Sequence, residues 1–306
     1  MQEGETYLRL GNDNFNIGKY QTAIEYYQKA QECGDKRQKG EAYLGLGNAY
    51  LEIGQYQTVI EYCQKAQKVA LECGDKRQEV EAYLRLGTAN LNIGQYQTAI
   101  EHYHKAEIIA LERGDKRQEG EAYLWLGNAN MKIDQYQTAI DHYQRAEKIA
   151  LEYGDKRLEC EALISLGNTY QRIGEYQTAI ENYHKAEKLA LERRDKRQEC
   201  EAYLRLGNTY QKIHQNKKAV EYYQNAQKKT LEREDKRQER EAYLRIEYVH
   251  LLLGEVEKAN ECYGKAEKVA LERGGKMQEE EESFLILRNA LSNQRQNDAG
   301  EACIHE

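Results

Sequence analysis

The sequence predicts an all-α fold, a solenoid of stacked antiparallel helix pairs with about seven repeats and a C-terminal capping helix. Three observations predict it. The chain of 306 residues contains no Pro, where average usage of about 5% would place about fifteen, and Pro is the residue that breaks helix interiors. The segment Leu-Gly recurs with Gly47, Gly87, Gly127, Gly167 and Gly207 at steps of 40 residues, which marks a tandem array. Within each step, apolar residues fall on two helical faces separated by a turn.

The unit from Asp75 to Gly114 shows the two faces. Tyr83, Leu86 and Ile93 line one, and Tyr96, Ala99, Ile100, Tyr103, Ala106 and Ala110 line the other. Gly94 and Gly114 stand where each helix would end on a left-handed residue. Asp75 and Asp115 stand as N-caps, and Gln78 and Gln118, three places on, complete a capping box. Helices of about 17 residues would be about 26 Å long. One such pair cannot hide its own apolar stripes, so neighbouring pairs must stack.

This punctuation divides residues 1–291 into one solenoid with repeats at approximately 1–34, 35–74, 75–114, 115–154, 155–194, 195–234 and 235–274. A capping helix follows at 279–291 and a polar frayed tail at 292–306. The first repeat is short, because Gly11 to Gly47 is 36 residues. The missing four are the apolar turn that reads Lys-Val-Ala-Leu in the second. Met1 falls inside a first helix without the Asp-Lys-Arg-Gln entry of later repeats, so the chain reads as a fragment of a longer array with an uncapped face open to self-association. Toward the other end the repeat decays: Gly174 is replaced by His214, Tyr176 by Asn216, Leu189 by Lys229 and Gly207 by Glu247. Terminal repeats meet water on one side, so the seventh reads as part of the cap.

The spacing Tyr43, Leu46, Gly47, Tyr50, Val59, Cys63 and Ala66, repeated as Tyr83, Leu86, Gly87, Asn90, Ala99, Tyr103 and Ala106, resembles the tetratricopeptide repeat superfamily. The likeness extends from residue 1 to about 287. It implies a right-handed superhelix whose first helices line a concave groove for peptide segments or partner proteins. The 40-residue unit with its Leu-Gly-Asn-Ala-Tyr and Gly-Asp-Lys-Arg elements is similar to Pins/LGN-type polarity adaptors and to tetratricopeptide repeat protein 28-like proteins. That narrower likeness implies a cortical adaptor linked to G-protein signalling, although residues 288–306 carry no recognisable G-protein-binding motif.

A groove built this way has a predictable lining. Leu84 and Leu124, with Leu8, Leu44, Ile164, Leu204 and Leu244, form an apolar rail. Asn12, Asn48, Asn128, Asn168 and Asn208 form an amide rail interrupted by Thr88. Asn donates to and accepts from peptide backbone, a role the resemblance also implies, and it equally stabilises neighbouring repeats. Within this lining one position varies most, carrying Arg9, Gly45, Arg85, Trp125, Ser165, Arg205 and Arg245. Trp and Arg are enriched in binding hot spots, so Arg85, Trp125, Arg205 and Arg245 are the candidate partner contacts. A Trp lying over a neighbouring repeat is the alternative for Trp125.

The remaining signals exclude more than they assign. Lys plus Arg number 45 against 52 Asp plus Glu, for a net charge of −7, which gives no global attraction for nucleic acid. The repeated Lys-Arg pairs, interleaved with acids, read as a solvated edge. No phosphate loop, zinc-protease motif or nucleophile–base pair is present, so neither catalysis nor a cofactor is expected. The seven Cys lack a CxxC pair, and His102, His104, His142 and His184 lack ligand spacing, so no metal is expected. No apolar run approaches a membrane span or signal peptide, and reduced thiols fit a cytoplasmic protein. The partners expected are therefore other proteins or peptides. A structural spacer or self-associating array without a dedicated ligand is the competing reading.

Overall fold

In the computed structural model, residues 2–272 are described, and they form fourteen α-helices without a strand. In chain order these are α1 (Gln2–Asn16), α2 (Tyr20–Cys33), α3 (Lys36–Glu52), α4 (Tyr56–Cys73), α5 (Lys76–Asn92), α6 (Tyr96–Arg113) and α7 (Lys116–Lys132). Then follow α8 (Tyr136–Tyr153), α9 (Lys156–Arg172), α10 (Tyr176–Arg193), α11 (Lys196–Lys212), α12 (Asn216–Glu232), α13 (Lys236–Leu253) and α14 (Val256–Glu272). The expected capping helix at 279–291 and the tail at 292–306 lie outside the described residues.

The chain divides into two compact units, residues 1–169 and 170–306. In the first, α1 packs on α2, α3 on α4, α5 on α6 and α7 on α8, the second helices α2, α4 and α6 pack on α3, α5 and α7, and α1, α3, α5 and α7 touch in succession. In the second, α10 packs on α11, α11 on α12, α12 on α13 and α13 on α14.

The local chemistry explains the boundaries. Asp75, Asp115, Asp195 and Asp235 each cap a first helix by accepting from the backbone N–H three residues on, satisfying a donor that the helix leaves unpaired. A reciprocal capping box closes at Asp35–Gln38. At Asp75 and Asp115 the expectation needs correcting. Gln78 and Gln118 instead reach back to the backbone carbonyls of Arg37 and Arg77, one repeat earlier, at 3.4 Å. That bond ties consecutive repeats together. Ile93, expected on the buried face, sits at the C-cap and is 39% exposed.

The second helices α4, α6 and α8 end on a left-handed residue, Gly74, Gly114 and Gly154 at φ of 66°, 67° and 71°. The short second helix of the first repeat, α2, has 14 residues against 18 in α4, α6 and α8, one turn fewer. Arg194 closes α10 at φ 54°, a conformation that crowds its Cβ against the carbonyl. Arg194→Gly is therefore expected to raise stability by about 0.5–1 kcal/mol, read as a higher denaturant midpoint at unchanged slope.

The core alternates two small–large contacts. Gly87 and Gly127 lie against the rings of Tyr103 and Tyr143, where an added Cβ would meet ring carbon at 2.4 Å in both cases. Gly11 and Gly207 face Tyr27 and Tyr223 in the same way, and Gly47 faces Cys63. The four tyrosines 103, 143, 183 and 223 are among the largest fully buried side chains. The second helices α2, α6, α8 and α12 thus seat a tyrosine ring where a glycine of the first helix leaves room.

Candidate functional site

The first helices carry the residues that sequence spacing singles out, and their geometry explains each one. The amide rail is fixed by the buried tyrosines of the same repeat. Tyr27, Tyr143 and Tyr223 donate their hydroxyls to Oδ1 of Asn12, Asn128 and Asn208 at 2.7, 2.8 and 2.7 Å. Where Thr88 replaces Asn, Tyr103 lies 3.2 Å from its hydroxyl. A buried phenol needs such a partner, so the row has a structural duty. Its Asn members at 12, 48, 128, 168 and 208 still remain partly or fully exposed.

The apolar rail is placed differently from expectation. Leu84 and Leu124 are 3% and 6% exposed, and Leu8, Leu44 and Ile164 are also buried. They point between helices; Leu44, for example, packs on Ala66 and on Ala82 of the following repeat. In the first unit the physical cause is the stacking itself, in which the next repeat covers this row. Leu204 and Leu244, in the second unit, are only half-buried.

The variable row sits on the preceding repeat. In the first unit, Gly45 lies on the Tyr27 ring, Arg85 bears on the Cys63 thiol, and Trp125 stacks on Tyr103 with ring centroids 6.0 Å apart and planes 15° apart. In the second, Arg205 bears on Tyr183 and Arg245 contacts Tyr223. Trp125 therefore lies over a neighbouring repeat while staying half-buried, as do Arg85, Arg205 and Arg245. Each of these arginines pairs with a glutamate one turn earlier: Arg85 with Glu81 at 3.8 Å, Arg205 with Glu201 at 3.3 Å and Arg245 with Glu241 at 2.5 Å. That the variable residue answers the previous repeat's core side chain, Cys63 for Arg85 and a tyrosine for the others, is not visible in the spacing, because it depends on how repeats stack.

One pocket of about 730 Å³ opens in the second unit, lined by Gln171, Asn208, Gln211, Lys212, His214, Asn216, Arg245, Tyr248 and Leu252. It contains two of the predicted residues, Asn208 and Arg245, and its volume falls within the range of about 300–1,000 Å³ usual for ligand sites.

Burial also fixes the ionisation of this framework. The Tyr27 and Tyr223 phenols are pushed up to about 12 from an ordinary 10.0, and Tyr103, Tyr143 and Tyr183 are raised further, all chiefly by burial. The native state holds these protons after an unfolded chain would lose them. Stability is then independent of these groups below about pH 10 and falls as pH rises through 10 toward 12 and beyond. Denaturant midpoints measured at pH 8, 10 and 11 are expected to fall only at the last two.

Elsewhere the polar groups pair with one another. Arg157 spans Glu121 and Glu161 at 3.1 and 2.9 Å, and Arg37 meets Asp75 at 3.4 Å, so the Lys-Arg edge is neutralised locally. His104 bonds Glu107 at 2.8 Å, and its ring centroid lies 6.2 Å from that of His142. Among the described residues no cluster of three or more metal-ligating side chains assembles, and no helix is long and apolar enough to cross a membrane. Cys63, Cys160 and Cys200 are buried as free thiols.

Paired helices with Gly-on-Tyr packing and a first-helix row facing the next repeat define a tetratricopeptide-type array. The chain belongs to the tetratricopeptide repeat family: models of that repeat match residues 38–112 and 118–192, and a second such model matches residues 4–32 and 201–228. No curated protein matches the sequence. Among solved structures, the apo form of RapI shares 18% identity at a TM-score of 0.66, covering 88% of this chain and 99% of that one. A Signal Transduction ATPase with Numerous Domains protein with a tetratricopeptide repeat sensor, from Pyrococcus horikoshii, shares 21% at 0.73, covering 89% of this chain and 43% of that one. This chain thus spans less than half of that ATPase. A Rap conjugation gene regulator of the plasmid pLS20, in complex with the Phr* peptide, shares 16% at 0.62, covering 87% and 73%. At these identities the likeness is one of fold.

Proposed function

We propose that this chain is a non-catalytic scaffold that binds peptide segments or partner proteins along its first helices. The observation that carries this reading is the variable row. Beside the near-constant Leu and Asn rows of the same first helices, the position holding Arg85, Trp125, Ser165, Arg205 and Arg245 varies, and in all five repeats it is only partly buried. The adjoining row, buried throughout, holds a single residue type, Leu46, Leu86, Leu126, Leu166 and Leu206. Large, ring-stacked or ion-paired side chains at that row are already ordered, so a partner would lose little entropy in using them. The pLS20 regulator, which shares the fold, was solved with a peptide bound, and that supports the reading.

Affinity capture with the wild-type chain and with the Trp125→Ala, Arg85→Ala double variant, followed by mass spectrometry, tests it. Recovery of the same protein by the wild type and its loss with the variant is expected. Capture of nothing except further copies of the chain would instead favour a spacer or self-associating array.

A further inference from the structure

Four successive repeats of the first unit set a ring of the first helix against a ring of the second. Tyr7 meets Tyr26, Tyr43 meets Tyr62, Tyr83 meets His102 and Tyr123 meets His142, with ring centroids 6.3, 6.2, 5.9 and 6.0 Å apart. A cation three residues after the second ring covers each pair: Lys29 over Tyr7 and Tyr26, Lys65 over Tyr62, Lys105 over Tyr83 and Arg145 over Tyr123. The negative face of a neutral ring attracts such a cation. What changes in the third and fourth repeats is the second ring, an imidazole where the first two repeats have a phenol.

These imidazoles sit where a proton is poorly served. Both rings are half-buried, and Nδ1 of His102 and of His142 is buried without a hydrogen-bond partner. A protonated ring carries N–H on both nitrogens. Its Nδ1–H would lack an acceptor, and its charge would stand beside the cation that already covers the neighbouring tyrosine. His102 faces Lys105 and Glu101 of its own helix and Tyr83 of α5. His142 faces Asp141 and Arg145 of its own helix, His104 and Glu107 of α6 and Tyr123 of α7. The carboxylates do not reverse the balance, because Glu101 and Asp141 are exposed and Glu107 is already bonded to His104 Nδ1 at 2.8 Å. Burial is the largest influence on each imidazole and holds both below the ordinary 6.5, with Lys105 adding to it at His102 and Glu107 opposing it at His142. An unfolded chain takes up these protons near pH 6.5, and the folded chain does so only at lower pH. The stability tied to the two rings is therefore complete above 6.5 and is lost as pH falls from 6.5 through the folded values.

We propose that His102 and His142 form an acid-sensitive latch, whose protonation loosens α5–α8 and with them the seat of Trp125 on Tyr103. The latch does not depend on the scaffold reading, although Arg85 and Trp125, which that reading uses, stand on α5 and α7. Tyrosine at the same place, as at 26, 62 and 222, stays neutral throughout this range and carries no such sensitivity.

The test compares the full chain with the His102→Tyr, His142→Tyr double variant, which restores the ring of the other repeats. Between pH 7.5 and 5.5 the denaturant midpoint is expected to fall further in the wild type than in the variant. Emission from Trp125, the single Trp of the chain, is expected to change over the same interval in the wild type alone. Hydrogen exchange, corrected for its intrinsic pH dependence, is expected to quicken several-fold at pH 5.5 within residues 76–153 and not within residues 2–73, since repeats open locally. Equal responses in the two proteins, no response in the wild type, or exchange that quickens evenly along the array would overturn the latch. If the double variant does not fold, the imidazole C2 protons of the wild type, assigned through His102→Gln and His142→Gln, decide the matter. Rings that titrate below 6.5 support the proposal, and rings that titrate at or above it overturn it.

Discussion

Tyr143→Ala is expected to lower stability by about 3–5 kcal/mol, the range for truncating a large aromatic in a core. Tyr143 is 2% exposed and fills the space against Gly127, where its ring carbons come closest. Truncation leaves a cavity lined by a glycine that offers no side chain to collapse into it. It also leaves Asn128 Oδ1 without the hydroxyl that donates to it at 2.8 Å. Guanidinium unfolding followed by circular dichroism reads the loss as a lower midpoint. Tyr143→Phe separates the two contributions: it keeps the ring and removes the hydroxyl, so about 0.5–1.5 kcal/mol is expected from it. If Tyr143→Ala costs no more than Tyr143→Phe, the ring is not seated as described.

Gly127→Ala tests the same contact from the other side. An added Cβ would lie 2.4 Å from Tyr143 Cε1, closer than carbon atoms can approach, so the ring or the helix must shift. Overpacking of this kind costs about 1–3 kcal/mol, against a helix propensity that favours Ala over Gly by about 1 kcal/mol. The balance is a net loss, measured again as a denaturant midpoint. Gly114→Ala also destabilises, but for a different reason. Nothing lies within 4 Å of its added Cβ, and the strain comes from φ 67° alone. Combining each substitution with Tyr143→Ala distinguishes them. The Gly127→Ala penalty should shrink once the ring is gone, and the Gly114→Ala penalty should persist.

These contacts show how far residues alone could carry the reading. The 40-residue step, the missing turn of the first repeat and the Asp caps follow from local rules, because capping and periodicity are decided within a few residues of chain. That small residues at 47, 87, 127 and 207 admit aromatic neighbours was legible as packing. The pairing of Gly87, Gly127 and Gly207 with one particular ring each, and of Gly47 with the Cys63 thiol instead of a ring, needed the structure. Misplaced features share one cause. Whether Leu84 and Leu124 face solvent, where Gln78 points, and what Trp125 covers all depend on the neighbouring repeat, whose contacting residues lie 22 (Trp125 to Tyr103) to 41 (Gln78 to Arg37) residues away in sequence and enter no local rule. The pocket was least legible. Its residues come from α9, α11, α12, α13 and a turn, and the substitutions that shape it look like loss of pattern until they are seen to meet. The family models identify the superfamily and do not divide it, so the narrower likeness to polarity adaptors is left to the identity of a partner.

The measurement that bears most directly on the scaffold reading is hydrogen–deuterium exchange of the chain with and without a captured partner. Protection confined to peptides from first helices, above all residues 76–92, 116–132, 196–212 and 236–253, is the result expected. Protection confined to the second helices, with the variable row unchanged, would contradict it.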